Sequence, residues 1–385
     1  MDDLLLLEQQ LSAEERLIRD TVRKFVRHDV IPKMAQAYEQ AIFPQDLIPK
    51  LASLGLFGMT LPAQYGGAEA NYVAYGLVCQ ELEYGDSALR SFVSVQSSLC
   101  MYPIFAFGNE QQKAHWLPQM AKGKVIACFG LTEADSGSDP ASMQTTAKKV
   151  ANGWELNGSK MWITNATIAD LAIVWAKTTD GIRGFLVEKN FAGFKTQEIK
   201  HKMSLRASIT GEIILEHCFI PDSHYLAGTE QGITAALDCL TQARYGIAWG
   251  AIGAAQACFD CALDYTKTRS QFSRPLASFQ LIQKDLVDMC CEIVKAQCLN
   301  LQIGRLKDDG QSHFAMISLG KMNACKQAIA IARAARNLLG ANGISLEYPV
   351  IRHMHNLEAV FTYEGTDNIH HLILGKYLTG INAFE

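Results

Sequence analysis

Apolar positions recur with three different spacings along this chain, and each spacing predicts a different kind of structure. From residue 1 to about 123 the spacing is helical. Ser12 and Glu15 form a capping-box signature ahead of "RLIRDTVRKFVRHDVI", where apolar residues fall three and four apart. The stretch "LPAQYGGAEANYVAYGLVCQELEYGDSALRSFVSVQSSLCM" (Leu61–Met101) adds helical runs separated by Gly and Pro breaks. From about 124 to 235 the runs shorten and become rich in β-branched and aromatic residues: "VIACFGLTE", "WELNGSKMWITN", "DLAIVWAKT", "IRGFLVEK", "GEIILEHCFI". Asn–Gly, Gly–Ser and Asp–Gly signals stand between them, which predicts an antiparallel β-domain. From about 236 to 385 long apolar stripes return, in "LDCLTQARYGIAWGAIGAAQACFDCALDYTKTR" and "FQLIQKDLVDMCCEIVKAQCLNLQIGRLKD". Gly250, Gly253, Ala254 and Ala255 on the first of these predict close helix packing. The expected order is an N-terminal helical domain (1–123), a β-domain (124–235) and a C-terminal helical bundle (236–385).

Composition narrows the function. Hydrophobic residues make up 49% and charged residues 19%, the balance of a chain with a large packed interior. The 35 cationic and 39 acidic residues leave a net charge of −4 with no basic block, so no nucleic-acid partner is expected. No run reaches the ~18 uninterrupted apolar residues of a membrane span, so a soluble chain without membrane insertion is expected. The acidic start "MDDLLLLEQQLSAEERL" resembles neither a secretory signal nor a transit peptide. Eleven scattered cysteines suit reduced thiols in a cytosol-like compartment. The pair Cys258 and Cys261 lacks a second spaced pair, and no metal site is expected. His353 and His355, two apart, read as helix-surface residues.

One carboxylate interrupts this pattern. In "AVFTYEGTDNIHHLILG" (Ala359–Gly375), Glu364 ends an apolar approach at a Gly–Thr turn. Such a position suits either a solvated helix-end acid or a base in an apolar slot, where desolvation would strengthen it.

Four further blocks favour the second reading. "CFGLTEADSGSDP" (Cys128–Pro140), "KMWITNA" (Lys160–Ala166), "TRSQFSRPLASFQLIQ" (Thr268–Gln283) and "TYEGTDNIH" (Thr362–His370) resemble, in order and spacing, the signature segments of the acyl-CoA dehydrogenase family. The resemblance covers about residues 12–384. "LRSFVSVQSSLCMYPIFAFGNEQQK", "MSLRASITG", "ARYGIAWGAIGA" and "VIRHMHNLEAVFTYEGT" are most similar to the glutaryl-CoA dehydrogenase branch.

The resemblance implies FAD as cofactor, held by Phe129, Leu131, Thr132, Gly137, Ser138, Trp162, Ile163, Thr164, Thr366 and Asn368. Arg269, Phe272 and Gln280 would reach the dinucleotide of a neighbouring subunit, and Asn337, Gly340 and Ala341 would also bind the cofactor. A homo-oligomer, a dimer completing each FAD site and a pair of dimers in all, follows from that. Glu364 would be the base, with Gly365 beside the thioester carbonyl, and Ser138 and Arg244 would contact the acyl-CoA. Arg90 and Ser91, with Glu83 and Tyr363 nearby, would take a distal carboxylate. The implied reaction is oxidation of glutaryl-CoA, then decarboxylation to crotonyl-CoA, with electrons passing to an electron-transferring flavoprotein. A cytoplasmic bacterial location, or a mitochondrial matrix location after processing, would accompany it. A short-chain acyl-CoA dehydrogenase with Arg90 simply paired to Glu83, an enzyme stopping at glutaconyl-CoA, and an inactive acyl-CoA-binding protein remain open alternatives. Ala341 and Ser273 stand where relatives often carry glycine, which matters if either needs a left-handed backbone.

Overall fold

The Ser12 hydroxyl accepts from Glu15 N at 3.1 Å while Glu15 accepts from Ser12 N at 2.7 Å, so the capping box starts the first helix as expected. In the computed structural model, which describes residues 3–384, α1 (Ala13–Phe25) passes through a π-helical turn, Val26–Val30, into α2 (Ile31–Gln40). There follow α3 (Ile48–Ser53), α4 (Tyr72–Gly85), α5 (Ser87–Ser94), a π-helical stretch Val95–Met101, α6 (Tyr102–Phe107) and α7 (Glu110–Ala121). Helix α4 is buried on nearly every side and carries Glu83. Asp86 then caps α5, accepting from Ala88 N at 2.7 Å, so Arg90 and Ser91 are delivered one turn into a buried helix.

Seven strands follow: β1 (Ala127–Gly130), β2 (Thr146–Val150), β3 (Gly153–Thr164), β4 (Leu171–Thr178), β5 (Gly181–Glu188), β6 (Phe194–Glu198) and β7 (Thr210–Pro221). Their order is β1-β4-β2-β3-β7-β6, with β5 on the other edge of β4. The sheet is mixed, where turn signals alone suggested antiparallel pairing throughout: β1 and β2 both run parallel to β4. The physical reason is visible in "LAIVWA", which is buried on both faces and so lacks the alternation that an exposed antiparallel strand shows.

The remaining chain forms a helical bundle. Helix α8 (Ile233–Thr268) leads through a short hairpin, β8 (Ser270–Gln271) and β9 (Arg274–Pro275), into α9 (Gln280–Asp308). Then come α10 (Phe314–Leu338), α11 (Val350–Thr362) and α12 (Asp367–Thr379). By length and hydropathy α8 could cross a membrane, but 78% of that apolar window is buried inside the protein. A Cβ on Gly253 would meet Gln80 O at 1.9 Å, so α8 lies directly against α4, as its small residues predicted. The Arg352 guanidinium and Asn356 amide, both on α11, bond the Asp86 carboxylate and lock α11 to the head of α5. His353 corrects the surface reading of the sequence: it is fully buried in α11 with neither ring nitrogen partnered. His355 meets the Tyr38 hydroxyl at 2.8 Å.

Candidate active site

A cavity of about 1160 Å³ opens between the sheet, the π-helical stretch after α5, the start of α8 and the loop before α12. It brings together fourteen of the residues singled out in the sequence: Ser91, Phe129, Leu131, Thr132, Gly137, Ser138, Trp162, Ile163, Thr164, Arg244, Tyr363, Glu364, Gly365 and Thr366. Glu83 and Arg90 are buried behind its wall. Asn368 is exposed on α12 and does not line it.

Arg269, Phe272, Gln280, Asn337, Gly340 and Ala341 are all exposed and away from the cavity, at one end of the bundle. Asn342 Nδ2 donates to Tyr265 Oη at 3.0 Å there, joining the loop after α10 to the end of α8. Phe272 at the hairpin tip is 89% exposed. Within one chain these six form a surface separate from the cavity. Gly340 takes the left-handed backbone (φ +58°) while Ala341 does not, so alanine there is unstrained; Ser273 does adopt it (φ +61°).

The sheet shapes one wall through a defect. Pairing of β3 with β7 slips between Lys160 and Ile163, and Trp162 sits in that bulge at φ +64°. A bulge re-aims the side chain it contains, and Trp162 is left 58% exposed on the cavity lining. Behind it, Lys160 Nζ reaches Glu133 Oε1 at 2.8 Å and Leu131 O at 3.1 Å. Glu133 also accepts from the Gln144 and Thr145 amides, tying down the loop that contains Thr132, Gly137 and Ser138.

Glu364 lies between α11 and α12 at φ +53°, followed by Gly365 at φ +96°. Its Oε2 is closed to solvent and has no hydrogen-bond partner. Burial raises its pKa above the ordinary carboxylate value, with Arg90, Lys321 and Arg244 pulling the other way. Arg244 is 7% exposed, and its Nε donates to Glu364 O at 2.7 Å. A Cβ on Gly365 would meet His370 Nε2 at 3.0 Å and Arg244 at 3.2 Å, tight contacts added to a left-handed backbone that favours glycine. Burial, then Lys321 and Arg244, push His370 down to about 2, keeping that ring neutral.

Arg90 is 1% exposed and donates from Nε to Glu83 Oε2 at 2.5 Å and from Nη2 to the Tyr363 hydroxyl. Burial alone would lower its pKa, but Glu83 and Tyr363 hold it well above the usual value. Glu83 Oε1 has no partner. Tyr363 thus links the carboxylate–guanidinium pair to the residue next to Glu364.

Lys321 and His370 were missed by sequence reasoning. Lys321 had a legible signal: it shares the apolar stripe of Ile317, Ala324, Cys325 and Ala328 on α10, where a cation is out of place. His370 had none beyond its place after the Gly–Thr turn.

The cavity exceeds the ~300–1,000 Å³ of a site for one small ligand, so it can take two groups side by side. An exposed tryptophan, an apolar wall and a hydroxyl-bearing loop fit the ring and ribityl chain of a flavin, and the part of the lining that holds Glu364 fits an acyl chain.

Comparison with known proteins agrees. The acyl-CoA dehydrogenase N-terminal, middle and C-terminal domain families match residues 12–124, 128–218 and 230–379. The mitochondrial short-chain specific acyl-CoA dehydrogenase of Homo sapiens is 34% identical over 374 residues, covering 96% of this chain and 91% of that one. A crystal structure of glutaryl-CoA dehydrogenase from Mycobacterium smegmatis is 52% identical with a TM-score of 0.98, over 100% of this chain and 99% of that one. A second glutaryl-CoA dehydrogenase structure from that organism, in complex with FADH2, is 48% identical with a TM-score of 0.98 at the same coverage.

Proposed function

The chain belongs to the acyl-CoA dehydrogenase family, and we propose that it oxidises glutaryl-CoA and then decarboxylates the product to crotonyl-CoA. Acyl-CoA dehydrogenation with FAD is the family's activity and the premise; the substrate and the second step are the proposal. The observation that carries it is Arg90. A guanidinium buried to 1% beside cavity-lining Ser91 has no value to a purely apolar acyl chain.

In this reading the substrate enters with its Cα facing Glu364 and its distal carboxylate towards Arg90 and Ser91. Glu364 removes the α-proton; burial, with its Oε2 closed to solvent, makes it a stronger base than an exposed carboxylate. FAD would supply the acceptor for the hydride released from Cβ. Phe129, Leu131, Thr132, Gly137, Ser138, Trp162, Ile163, Thr164 and Thr366 would hold it. The Gly365 region offers backbone close to where the thioester oxygen gains charge. In the second step the bond from Cγ to the distal carboxylate breaks, CO2 leaves, and the electron pair spreads into a dienolate. Glu364, now protonated, returns its proton to the terminal carbon. Tyr363, bonded to Arg90 and adjacent to Glu364, is placed to respond to loss of the carboxylate. Electrons then pass to an electron-transferring flavoprotein. The exposed set Arg269, Phe272, Gln280, Asn337, Gly340 and Ala341 would serve the FAD of a partner chain in a tetramer, and Asn368 would join the cofactor contacts on assembly.

The test is product mass from glutaryl-CoA with an artificial electron acceptor, alongside butyryl-CoA. Crotonyl-CoA is expected. Glutaconyl-CoA would remove the decarboxylation. Turnover of butyryl-CoA alone would overturn the substrate assignment and reduce Arg90 to the internal partner of Glu83, which its 2.5 Å bond already makes it.

A further inference from the structure

Lys321 is 1% exposed on α10, and its hydrogen-bond partners are two backbone carbonyls rather than a carboxylate. Nζ donates to Tyr363 O at 2.5 Å and to Gly365 O at 2.5 Å, the carbonyls immediately before and after that of Glu364. The Glu364 carbonyl itself accepts from Arg244 Nε at 2.7 Å. Three consecutive carbonyls are therefore held by two buried cations brought from α10 and α8. A buried ammonium with no anionic partner is costly, and here burial brings Lys321 down to about 8. An apolar residue would fill the same stripe of α10 at no such cost.

What the cation secures is a conformation. Glu364 at φ +53° occupies a left-handed region that is strained for any residue but glycine. Left to itself the turn would relax, and rotation about the peptide planes beside Glu364 would swing its carboxylate. The planes cannot rotate while their oxygens are held. We infer that Lys321 is a positioning residue for the base, clamping the carbonyls on either side of Glu364 so that the carboxylate keeps one direction into the cavity. The inference rests on the reading of Glu364 as base.

The charged and titratable groups around Glu364 are Arg90 on α5 with Glu83 of α4 behind it, Arg244 on α8, Lys321 on α10, Tyr363 beside it, and Asp367 and His370 on α12. Lys321 is one of three cations that oppose the effect of burial on Glu364. Its removal therefore has two separable effects: a looser carboxylate, and a carboxylate that needs higher pH to ionise.

The experiment uses Lys321→Met holoenzyme, following flavin bleaching by glutaryl-CoA, and by butyryl-CoA in parallel, as a function of pH. Flavin content and solvent-deuterium exchange at the substrate α-carbon are measured on the same samples. The expected result is retained FAD, a maximal bleaching rate lower on the order of 10²-fold with a smaller change in KM, slowed α-exchange, and an acid limb displaced to higher pH. If Lys321→Met does not fold, Lys321→Gln, which keeps donors without charge, carries the same test: its acid limb must still move. A wild-type rate with an unmoved limb overturns the inference. So does a rate loss that only follows lost FAD or lost folded protein, with the limb unmoved. Glu364→Gln is the control. If it bleaches at the wild-type rate, the base reading has failed; if it is inert while Lys321→Met is normal, only the Lys321 inference has failed.

Discussion

Replacing Gly250 by alanine would reverse the usual sign of a helix substitution. In a helix interior, Gly→Ala ordinarily stabilises by about 0.5–1 kcal/mol. Gly250, however, forms the floor beneath the buried pair: an added Cβ would lie 2.1 Å from Glu83 Oε2 and 3.0 Å from Arg90 Nε. Side-chain Cβ atoms essentially never approach closer than 3.0 Å, so the oxygen must retreat by at least 0.9 Å (3.0 minus 2.1). That retreat runs almost at right angles to the 2.5 Å bond to Arg90, so it turns the carboxylate away from its present alignment with the guanidinium instead of simply lengthening the bond. Glu83 is fully buried and held by Arg90, so the motion disturbs a buried ion pair. Overpacking of this kind costs about 1–3 kcal/mol, which outweighs the helix gain. Gly250→Ala should therefore lower the thermal and denaturant midpoints of the holoenzyme. It should also reduce kcat/KM for glutaryl-CoA more than for butyryl-CoA, because the carboxylate that orients Arg90 is displaced. Glu83→Asp, which shortens the obstructing side chain, should restore part of the loss in the double variant, a non-additivity expected only of residues in contact. A more stable Gly250→Ala protein with unchanged substrate preference would refute the reasoning.

Three further outcomes follow from the same geometry. Glu364→Gln should abolish turnover and yet raise the thermal midpoint at neutral pH. The folded pKa of Glu364 is raised, so its burial costs stability once pH passes that value, and the advantage of glutamine should shrink as pH falls to the unfolded 4.5 and vanish below it. A pH-independent difference would contradict this. Gly365→Ala puts a Cβ at φ +96° within 3.0 Å of His370 and 3.2 Å of Arg244, so both midpoint and kcat should fall, and an unaffected enzyme would sink the account of the turn. Burial works against ionised Glu133, but the Gln144 amide, Lys160 and Thr145 hold it down to about 2. Its contribution is present above the unfolded 4.5 and lost as pH falls towards 2, so Glu133→Gln should flatten acid unfolding in that window, read by tryptophan fluorescence. Superimposable acid curves would refute it.

Local signals were legible where one segment contains its own cause. The Ser12–Glu15 box starts α1 because both partners lie within one turn. Gly253 and its small neighbours announced the close crossing of α8 and α4 because a missing Cβ is a property of the residue itself. The Glu364 motif stood out because a carboxylate, a glycine and a helix start follow one another directly. His353 misled, since its helix looks surface-like until α11 is docked through Arg352 and Asn356 onto Asp86. The parallel pairing of β4 with β1 and β2 was hidden for a similar reason: local turn signals carry no information about which non-adjacent strand comes alongside.

By itself the sequence determined the order of helical, β and helical segments, the family, the cofactor and fourteen of the residues that line one cavity, because periodicity, turn chemistry and motifs are properties of short stretches. Only the tertiary structure decided how those residues work together. It set Trp162 out of the sheet through a register slip, closed Arg90 onto Glu83 and Tyr363, and brought Lys321 across 42 and 44 residues to two carbonyls beside Glu364. A buried charge takes its chemistry from what is packed against it, and those neighbours are chosen by the docking of helices, not by adjacency in the chain.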